Sequence, residues 1–467
     1  MARAAVTLVA PMAVFIALAV RYVRFEQLGP DEGFYGIAAR NAMSGLLPYR
    51  DFAFAQAHAF PYLHGAVAAL AGYGLVAQRV VCAAYAAASV LALGAAAQSP
   101  RRAFGFGLAA WAVSMSPWFV AKSALVQPCS LAGLLLLGAG AATLWMRPGR
   151  GRTWLIAVLG TLAVGCKLLV LPAAGILWAY EASRARSVES LAAPVVAMAA
   201  LFVPFIALAP SQWWFWNLGY HLALSGVDFR VAVTYREHLA MAPWVFLLGV
   251  AAGLARFRSR SPALVALAAG LVGWLGQLPL QETHFDNVVP LVTLVALASG
   301  ELLSEWRPGP RVRGAMAAGV LLPLAFPPPI LDPLVHRDLG AAAEVLRRSV
   351  PLDRPVMTPL PVVVLQTGHP VLPGMEMGPF CTTSELPPER AKPLRLWTLP
   401  ELEAQLTSDP PGAIVLTTQA STWDFYFSVP SLHPTPPEQR IAFFQAIKRA
   451  GYRKVLTNSQ VSVFLRP

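Results

Sequence analysis

Charged residues are scarce in this sequence. Of its 467 residues, 13% are Asp, Glu, Lys or Arg, and 56% are hydrophobic. A soluble domain of this composition would have too little polar surface to cover itself. The scarcity is also patterned, because several long blocks contain no Asp, Glu, Lys or Arg: 52–78, 80–100, 103–121, 123–146, 190–227, 261–281, 287–300 and 314–331. A helix needs ~17–25 such residues to cross a bilayer roughly 30 Å thick, so the sequence predicts a polytopic membrane protein.

Cysteines are equally few. The chain has four of them, and none forms a C-x-x-C motif or a Cys/His zinc spacing: Cys82, Cys129, Cys166 and Cys381. This pattern argues against a disulfide framework and against structural zinc. The formal charge of +12 does not indicate a nucleic-acid partner, because much of the excess lies in short loops between the apolar blocks.

The first apolar run extends from Ala4 to Val20 and allows two interpretations. Arg3 and the A-x-A-like sequence Ala17-Leu18-Ala19 would suit a signal peptide. The run is longer than the ~7–15-residue core of most signal peptides, which favours a retained membrane anchor.

The arginine-rich loops predict the topology. They are Arg101-Arg102, Arg147 to Arg152, Arg184 to Arg186, Arg256 to Arg260 and Arg307 to Arg313. The positive-inside rule assigns all five to the cytoplasm, and only Arg21 and Arg24 go against it. About eleven spans satisfy this demand: 4–23, 76–97, 103–121, 127–146, two short spans within 153–181 that meet near Lys167, 190–209, 239–255, 262–280, 287–303 and 314–330. The N-terminus is then inside and the C-terminal tail outside.

Two domains are predicted. Residues 1–331 form the multi-span domain, with a first outer loop at about 24–75. The Pro-rich tail, 332–467, reads as a small α/β extracytoplasmic domain with no Gly-rich phosphate loop. Strand character is predicted for PVMT, PVVVLQT, GAIVLTT and VSVFLRP, and helical spacing for LPELEAQL and EQRIAFFQAIKRAG.

The polar groups of the first outer loop form a recognisable pattern. Residues 28–52 read LGPDEGFYGIAARNAMSGLLPYRDF, and Pro61, Gly74 and Arg79 follow. This stretch resembles the first outer loop of the GT-C integral-membrane glycosyltransferases. The closest branches look like the protein O-mannosyltransferases, the aminoarabinose transferase of lipid A and related bacterial envelope transferases. The GCK turn at 165–167 and the tail sequence VVVLQTGHPVLPGMEMGPF extend the resemblance.

The resemblance implies a function and a location. Such an enzyme takes a sugar from a polyprenyl-phosphate carrier and gives it to an envelope lipid, glycan or protein. The reaction occurs on the outer face of the bacterial plasma membrane, so membrane lipids are also partners. Asp31 matches the family's acidic position and is expected to act as base. Glu32 would orient it or help hold a divalent cation, Mg²⁺ or Mn²⁺. In the alternative, both are solvated interfacial carboxylates paired with Arg24 or Arg40.

Cationic and polar residues are expected to bind the donor. A lone Lys inside a long apolar stretch is costly, which makes Lys167 the main candidate for the phosphate. Arg50 and Arg79 would support it. The alternatives are that Lys167 snorkels to the surface and that Arg50 pairs with Asp51.

Three further residues are expected to contact substrate. Tyr35 follows the acidic pair, and Gln127 lies at the outer end of the fourth span. His284 forms an H-x-D arrangement with Asp286, for which loop polarity is the alternative to a phosphate or metal role.

The sequence departs from the family pattern at Gln127. The family commonly has a second acidic residue there, and a neutral amide is neither a base nor a strong ligand for a hard cation. This departure leaves open a non-catalytic member of the same fold. A lipid-linked sugar transporter or flippase is the other alternative, although such proteins place charged sites at mid-membrane in two related halves.

Overall fold

The structure is a computed structural model that describes residues 4–25, 31–224, 242–276, 285–306, 309–325, 333–418, 427–429, 433–434 and 436–467. The chain divides into two compact units. The helical unit contains Met1–Glu26, Arg79–Val203 and Asp228–Ile330. The mixed unit contains Gln27–Gln78, Pro204–Val227 and Leu331–Pro467.

The helices that enter the helical unit are Ala5–Val9 (π) continuing as Ala10–Phe25, Leu75–Ala96, Ala103–Ser114, Pro117–Ala124, Cys129–Trp145, Arg150–Cys166, Leu171–Ala185, Val188–Leu208, Pro243–Arg256, Pro262–Leu275, Val289–Trp306 and Pro310–Gly319. Short 3₁₀ turns occupy Leu168–Val170, Phe285–Val288 and Leu322–Ala325. Several of these helices begin with proline at the first turn, where the missing N–H costs nothing.

Helix Val289–Trp306 forms the core of the helical unit. Small residues let its neighbours approach closely: a Cβ added at Gly105 would lie 2.1 Å from the Gly300 carbonyl oxygen. Thr293 Oγ1 donates to the Gly133 carbonyl at 2.9 Å, which fastens helix Cys129–Trp145 to the same helix. Small residues and interhelical hydrogen bonds of this kind are typical of helix packing in membranes.

Two breaks interrupt the helices of the apolar stretches. Helices Ala103–Ser114 and Pro117–Ala124 meet at a bend of 65°, because Pro117 cannot donate a backbone hydrogen bond. The stretch 153–181 contains the break predicted near Lys167, between helices Arg150–Cys166 and Leu171–Ala185. A buried Arg152–Glu181 ion pair joins these two helices, and Thr153 Oγ1 donates to the same carboxylate at 2.8 Å.

Four of the described helices are long and apolar enough to cross a membrane, or five if the bent pair counts as one span. They are Ala5–Arg24, Leu75–Ala96, Val188–Leu208 and Val289–Trp306. Shorter apolar helices lie at the predicted fourth, eighth and ninth spans. In the described part of the predicted eleventh span, residues 314–319 belong to the ten-residue helix Pro310–Gly319, about 15 Å long, and the 3₁₀ turn Leu322–Ala325 follows. The protein is therefore a polytopic membrane protein, whereas the count of eleven spans stays a prediction.

The mixed unit combines helices with a sheet. Its helices are Glu32–Met43, Ala59–Ala71, Pro210–Trp214, Phe215–Gly219 (π), Tyr220–Leu224, Pro333–Ser349, Pro361–Thr367, Pro388–Ala391, Leu399–Ser408 and Pro437–Arg449, with 3₁₀ turns at Gly378–Phe380 and Lys392–Leu394. Its strands are β1 (Val356–Met357), β2 (Ala413–Thr417), β3 (Phe427–Ser428), β4 (His433–Pro434), β5 (Arg453–Thr457) and β6 (Val461–Leu465). The main sheet has the order β1-β2-β6-β5, with β1 parallel to β2 and the other pairs antiparallel.

The tail predictions are mostly confirmed. Strands are found within PVMT, GAIVLTT and VSVFLRP, and both predicted helices are present. The prediction for PVVVLQT is wrong, because Pro361–Thr367 is a helix. Pro361 at its first turn and Gly368 after its end, at φ 80°, are helix boundary signals. They outweigh the strand preference of three valines. The boundary at 332 stays a prediction, since the compact unit that contains the tail also includes 27–78 and 204–227.

Candidate functional site

The acidic pair lies at the start of helix Glu32–Met43 in the mixed unit. Asp31 is the N-cap residue, is half-buried, and accepts the Tyr35 backbone N–H through its carbonyl at 3.1 Å. Glu32 is fully buried in the first turn. The positive end of a helix dipole stabilises carboxylates in these positions. Both acidic residues therefore lie at the N-terminal end of this helix, Asp31 at the N-cap and Glu32 in the first turn.

Two glycines fix this helix against the tail. A Cβ at Gly33 would lie 2.7 Å from the Val362 backbone nitrogen. A Cβ at Gly36, one turn on, would lie 2.5 Å from Leu365 Cδ1. Only glycine allows helix Pro361–Thr367 to approach so closely. The acidic pair and the VVVLQT sequence of the tail are therefore held together by direct backbone contact.

Tyr35 lies in an aromatic cluster. Its side chain is 2% exposed, and its ring centroid is 5.5 Å from that of Phe60 and 6.0 Å from that of Phe54, both edge-on. Phe34 beside it reaches Phe380 of the tail, with 6.4 Å between the ring centroids. Tyr35 thus contributes to the core that supports helix Glu32–Met43, which we name the acidic helix. The contact of Tyr35 with substrate stays a prediction.

The PYRDF sequence forms a tight turn. Tyr49 has a left-handed backbone, φ 70°, and its buried hydroxyl donates to the Gln56 carbonyl at 2.6 Å. Arg50 donates to both carboxylate oxygens of Asp51, at 2.9 and 2.8 Å. The Leu47 N–H donates to the same carboxylate at 2.8 Å. The pKa of Asp51 is lowered from its ordinary value, and the hydrogen bonds from Arg50 are the largest cause. The alternative that Arg50 pairs with Asp51 is therefore realised, and half of the Arg50 side chain stays exposed.

The Arg40 side chain forms a hydrogen bond with the tail. Its Nη2 donates to the His369 carbonyl at 2.9 Å. Burial lowers the pKa of this guanidinium. This contact links the far end of the acidic helix to the tail.

In the helical unit, the structure brings Arg79 and Gln127 to one region. Arg79 is fully buried near the start of helix Leu75–Ala96, and its Nη1 donates to the Val23 carbonyl at 3.3 Å. Cys82 lies three residues on, so it shares a helix face with Arg79. Its thiol is 3.9 Å from the Gln127 carbonyl oxygen. Three segments that are distant in sequence, around 23, 79 and 127, therefore meet.

Lys167 lies at the break between two helices. Its backbone is extended, φ −149° and ψ 111°, and its side chain is 5% exposed. The Cys129 thiol is 4.0 Å from Gln127 Oε1. Gln127 therefore lies beside Cys129 in the helical unit, and a shared substrate site for Gln127 and Lys167 stays a prediction.

Sequence reasoning gave no role to several buried ionisable residues, and Lys122 and Glu376 are two of them. The Lys122 side chain is 8% exposed and follows the 65° bend. Lys122 is the one charged residue between the charge-free blocks 103–121 and 123–146, and this isolation is a signal by which the sequence could have identified it as a candidate. Glu376 lies in the GMEMGPF sequence, and both its carboxylate oxygens accept the Gly374 N–H, at 3.0 and 2.9 Å. Burial raises the pKa of Glu376 to about 7, and its hydrogen bonds and Arg395 oppose the rise.

Some expected residues lie outside the described part of the chain. These are His284 and the side chain of Asp286. Among the described residues, no group of three or more His, Cys, Asp or Glu could hold a metal ion.

The fold is similar to two solved structures of ArnT from Cupriavidus metallidurans. The apo structure gives a TM-score of 0.67 at 16% sequence identity, and the match covers 97% of each chain. The structure bound to undecaprenyl phosphate gives 0.64 at 13% identity, covering 98% of this chain and 97% of that one. No family profile and no curated protein sequence matches this chain. The GT-C resemblance is therefore confirmed at the level of the fold.

Proposed function

We propose that this protein is a glycosyltransferase that takes a sugar from a polyprenyl-phosphate carrier. The acceptor is an envelope lipid, glycan or protein at the outer face of the bacterial plasma membrane. One observation carries the proposal: nearly the whole chain has the fold of ArnT, including the ArnT structure that binds undecaprenyl phosphate. Half-buried Asp31, buried Glu32 and the buried cations Arg79 and Lys167 support the proposal, because such a transfer needs a base and positive charge at the leaving phosphate.

Asp31 is the proposed base. Its carboxylate takes the proton of the acceptor hydroxyl while the acceptor oxygen bonds to the anomeric carbon. The bond from that carbon to the phosphate oxygen breaks, and the lipid phosphate leaves with the electron pair. The half-buried N-cap position supports this role, because the carboxylate is held by the helix yet still reachable. Glu32, fully buried beside it, is proposed to position Asp31.

Lys167, Arg79 and Gln127 are the proposed phosphate-binding group. Cations held in a water-poor site stabilise the charge that develops on a leaving phosphate. The side chains of Arg79 and Lys167 are both buried, so solvent screens little of the attraction between their positive charges and the phosphate. The Gln127 amide would orient the phosphate or the sugar.

A divalent cation would have few protein ligands here. Asp31 and Glu32 offer two carboxylates, and the described residues add no third metal-ligating side chain. Mg²⁺ often binds through one or two carboxylates together with substrate phosphates, so the pair fits a cation that arrives with the donor. Such a cation would supply positive charge to the leaving phosphate. We expect partial loss of activity on chelation.

The test compares turnover of polyprenyl-phosphate sugars by wild type, Asp31→Asn and Glu32→Gln, each verified as folded in detergent. Asp31→Asn keeps the shape and removes the proton acceptor, so turnover should fall ~10²–10⁴-fold while donor binding survives. Glu32→Gln should cost less. Full activity of Asp31→Asn would remove the base assignment. A wild type that binds donor but transfers no sugar would support the non-catalytic alternative, and donor movement between leaflets without transfer would support a flippase.

A further inference from the structure

A basic turn of the tail is held beside the end of a membrane span. Helix Val188–Leu208 is one of the helices that qualify as spans, and 11% of its apolar window is buried within the protein. Most of this helix is therefore available to lipid. It ends at Leu208, and Pro210 begins a new short helix. The sequence that follows, PSQWWFWNLGY, is rich in the aromatic residues that mark headgroup depth.

The surface of this aromatic segment is suited to a lipid interface. Trp214 is 61% exposed, and Leu208 and Leu222 on either side are 53% and 59% exposed. Large apolar side chains exposed at the end of a span are expected to contact acyl chains and headgroups.

The tail is fastened to this segment by two hydrogen bonds. Gln212 Nε2 donates to the Pro393 carbonyl at 3.0 Å, and Trp216 Nε1 donates to the Leu394 carbonyl at 3.1 Å. Trp216 is fully buried, so its bond is shielded from water. Both acceptors belong to residues 390–395, RAKPLR, which we name the basic turn. The basic turn therefore lies beside the residues that follow the span.

The basic turn contains three cations and no acid, although Glu389 directly before it offsets one charge. The side chains of Arg390 and Lys392 are exposed, and neither forms an ion pair with another described residue. Arg395 donates to the Arg50 carbonyl, which brings the Arg50–Asp51 pair alongside. Two cations are thus presented without partners beside an exposed Trp at a span end.

We infer that the basic turn, together with Trp214, is a binding surface for the headgroups of anionic phospholipids. An anionic leaflet attracts each basic residue near its surface with an energy equivalent to about a fivefold gain in affinity. The aromatic segment sets the depth, and the cations select negative headgroups. The inference does not depend on the sugar-transfer proposal, because it needs only the span and the tail.

The test measures lipid retention by the purified full-length protein in native mass spectrometry. Equal amounts of phosphatidylglycerol and phosphatidylcholine are supplied. The double variant Arg390→Gln/Lys392→Gln should lose the preference for phosphatidylglycerol about five- to twenty-fold, and salt should weaken the wild-type preference. The matched control Lys448→Gln/Arg449→Gln removes the same charge from exposed positions on helix Pro437–Arg449 and should behave as wild type.

A second measurement reports the position of the basic turn and keeps Arg390 and Arg395 in place. All four native cysteines are buried, so a fluorophore can be attached at Lys392→Cys or, for comparison, at Lys448→Cys. In vesicles containing headgroup spin-labelled lipid, the label at 392 should be quenched more strongly. Equal or weaker quenching at 392, or an unchanged lipid preference in the double variant, would overturn the inference. If polyprenyl phosphate retention fell while phosphatidylglycerol retention did not, the turn would bind the donor lipid, and the inference would be wrong.

Discussion

Glu376 should make the stability of the mixed unit depend on pH. Burial raises the pKa of this carboxyl to about 7 from an ordinary value of 4.5. That difference corresponds to about 3 kcal/mol between the protonated and charged forms in the folded state. The folded protein binds this proton more tightly than the unfolded chain does. The stabilising contribution is therefore fully present below about pH 4.5 and is lost as the pH rises through about 7.

The variant Glu376→Gln isolates this effect. Glutamine keeps the shape and an oxygen that accepts the Gly374 N–H, and it carries no charge at any pH. At pH 5 the free energy of unfolding of the variant should exceed that of wild type by less than about 1 kcal/mol. At pH 8 the variant should be more stable by up to about 3 kcal/mol, or roughly 6–10 °C in the unfolding midpoint of a unit of this size.

Thermal unfolding of the full chain in detergent, followed by intrinsic fluorescence between pH 5 and 8, measures the difference. Glu389→Gln, at an exposed position of the tail, is the matched control and should leave the pH dependence of wild type unchanged. A Glu376→Gln protein that unfolds at a lower temperature than wild type at pH 8 would refute the reasoning. So would parallel pH curves for the two proteins.

Four other predictions rest on the described contacts and on the arginine-rich loops. Lys167→Met should weaken donor use ~10–100-fold, with partial recovery in Lys167→Arg, and wild-type turnover of the Met variant would indicate a snorkelling lysine. Arg50→Gln should change the unfolding midpoint little, since an exposed pair is worth ~0–1 kcal/mol, so a large rise in the donor KM would identify a phosphate contact. Gly33→Ala should destabilise the mixed unit, because the added Cβ would meet backbone, whereas Gly45→Ala, which has open space but a positive φ, tests strain alone. Impermeant thiol reagents applied from outside should label a cysteine introduced in the tail and leave one within 147–152 unlabelled, and the reverse pattern would invert the topology.

The sequence by itself determined the membrane class and most helix positions. Charge-free blocks and arginine loops are local patterns, and a bilayer allows few responses to them. The break at Lys167 was predictable for the same reason, since a helix through 153–181 would overshoot the bilayer. The acidic pair was also predictable, because Asp31 and Glu32 stand out in an apolar chain.

Tertiary structure decided which of these residues meet. Cys82 and Gln127 are 45 residues apart in sequence, yet the Cys82 thiol lies 3.9 Å from the Gln127 carbonyl oxygen, and no sequence signal marks that proximity. The valine run predicts a strand at Pro361–Thr367 where the structure has a helix, since a short run of buried valines suits either structure. Its contact with Gly33 could not be foreseen, because close backbone approach depends on where two distant segments pack. The burial that raises the pKa of Glu376 likewise exists only once the tail surrounds it, since desolvation is a property of the folded environment and not of the residue.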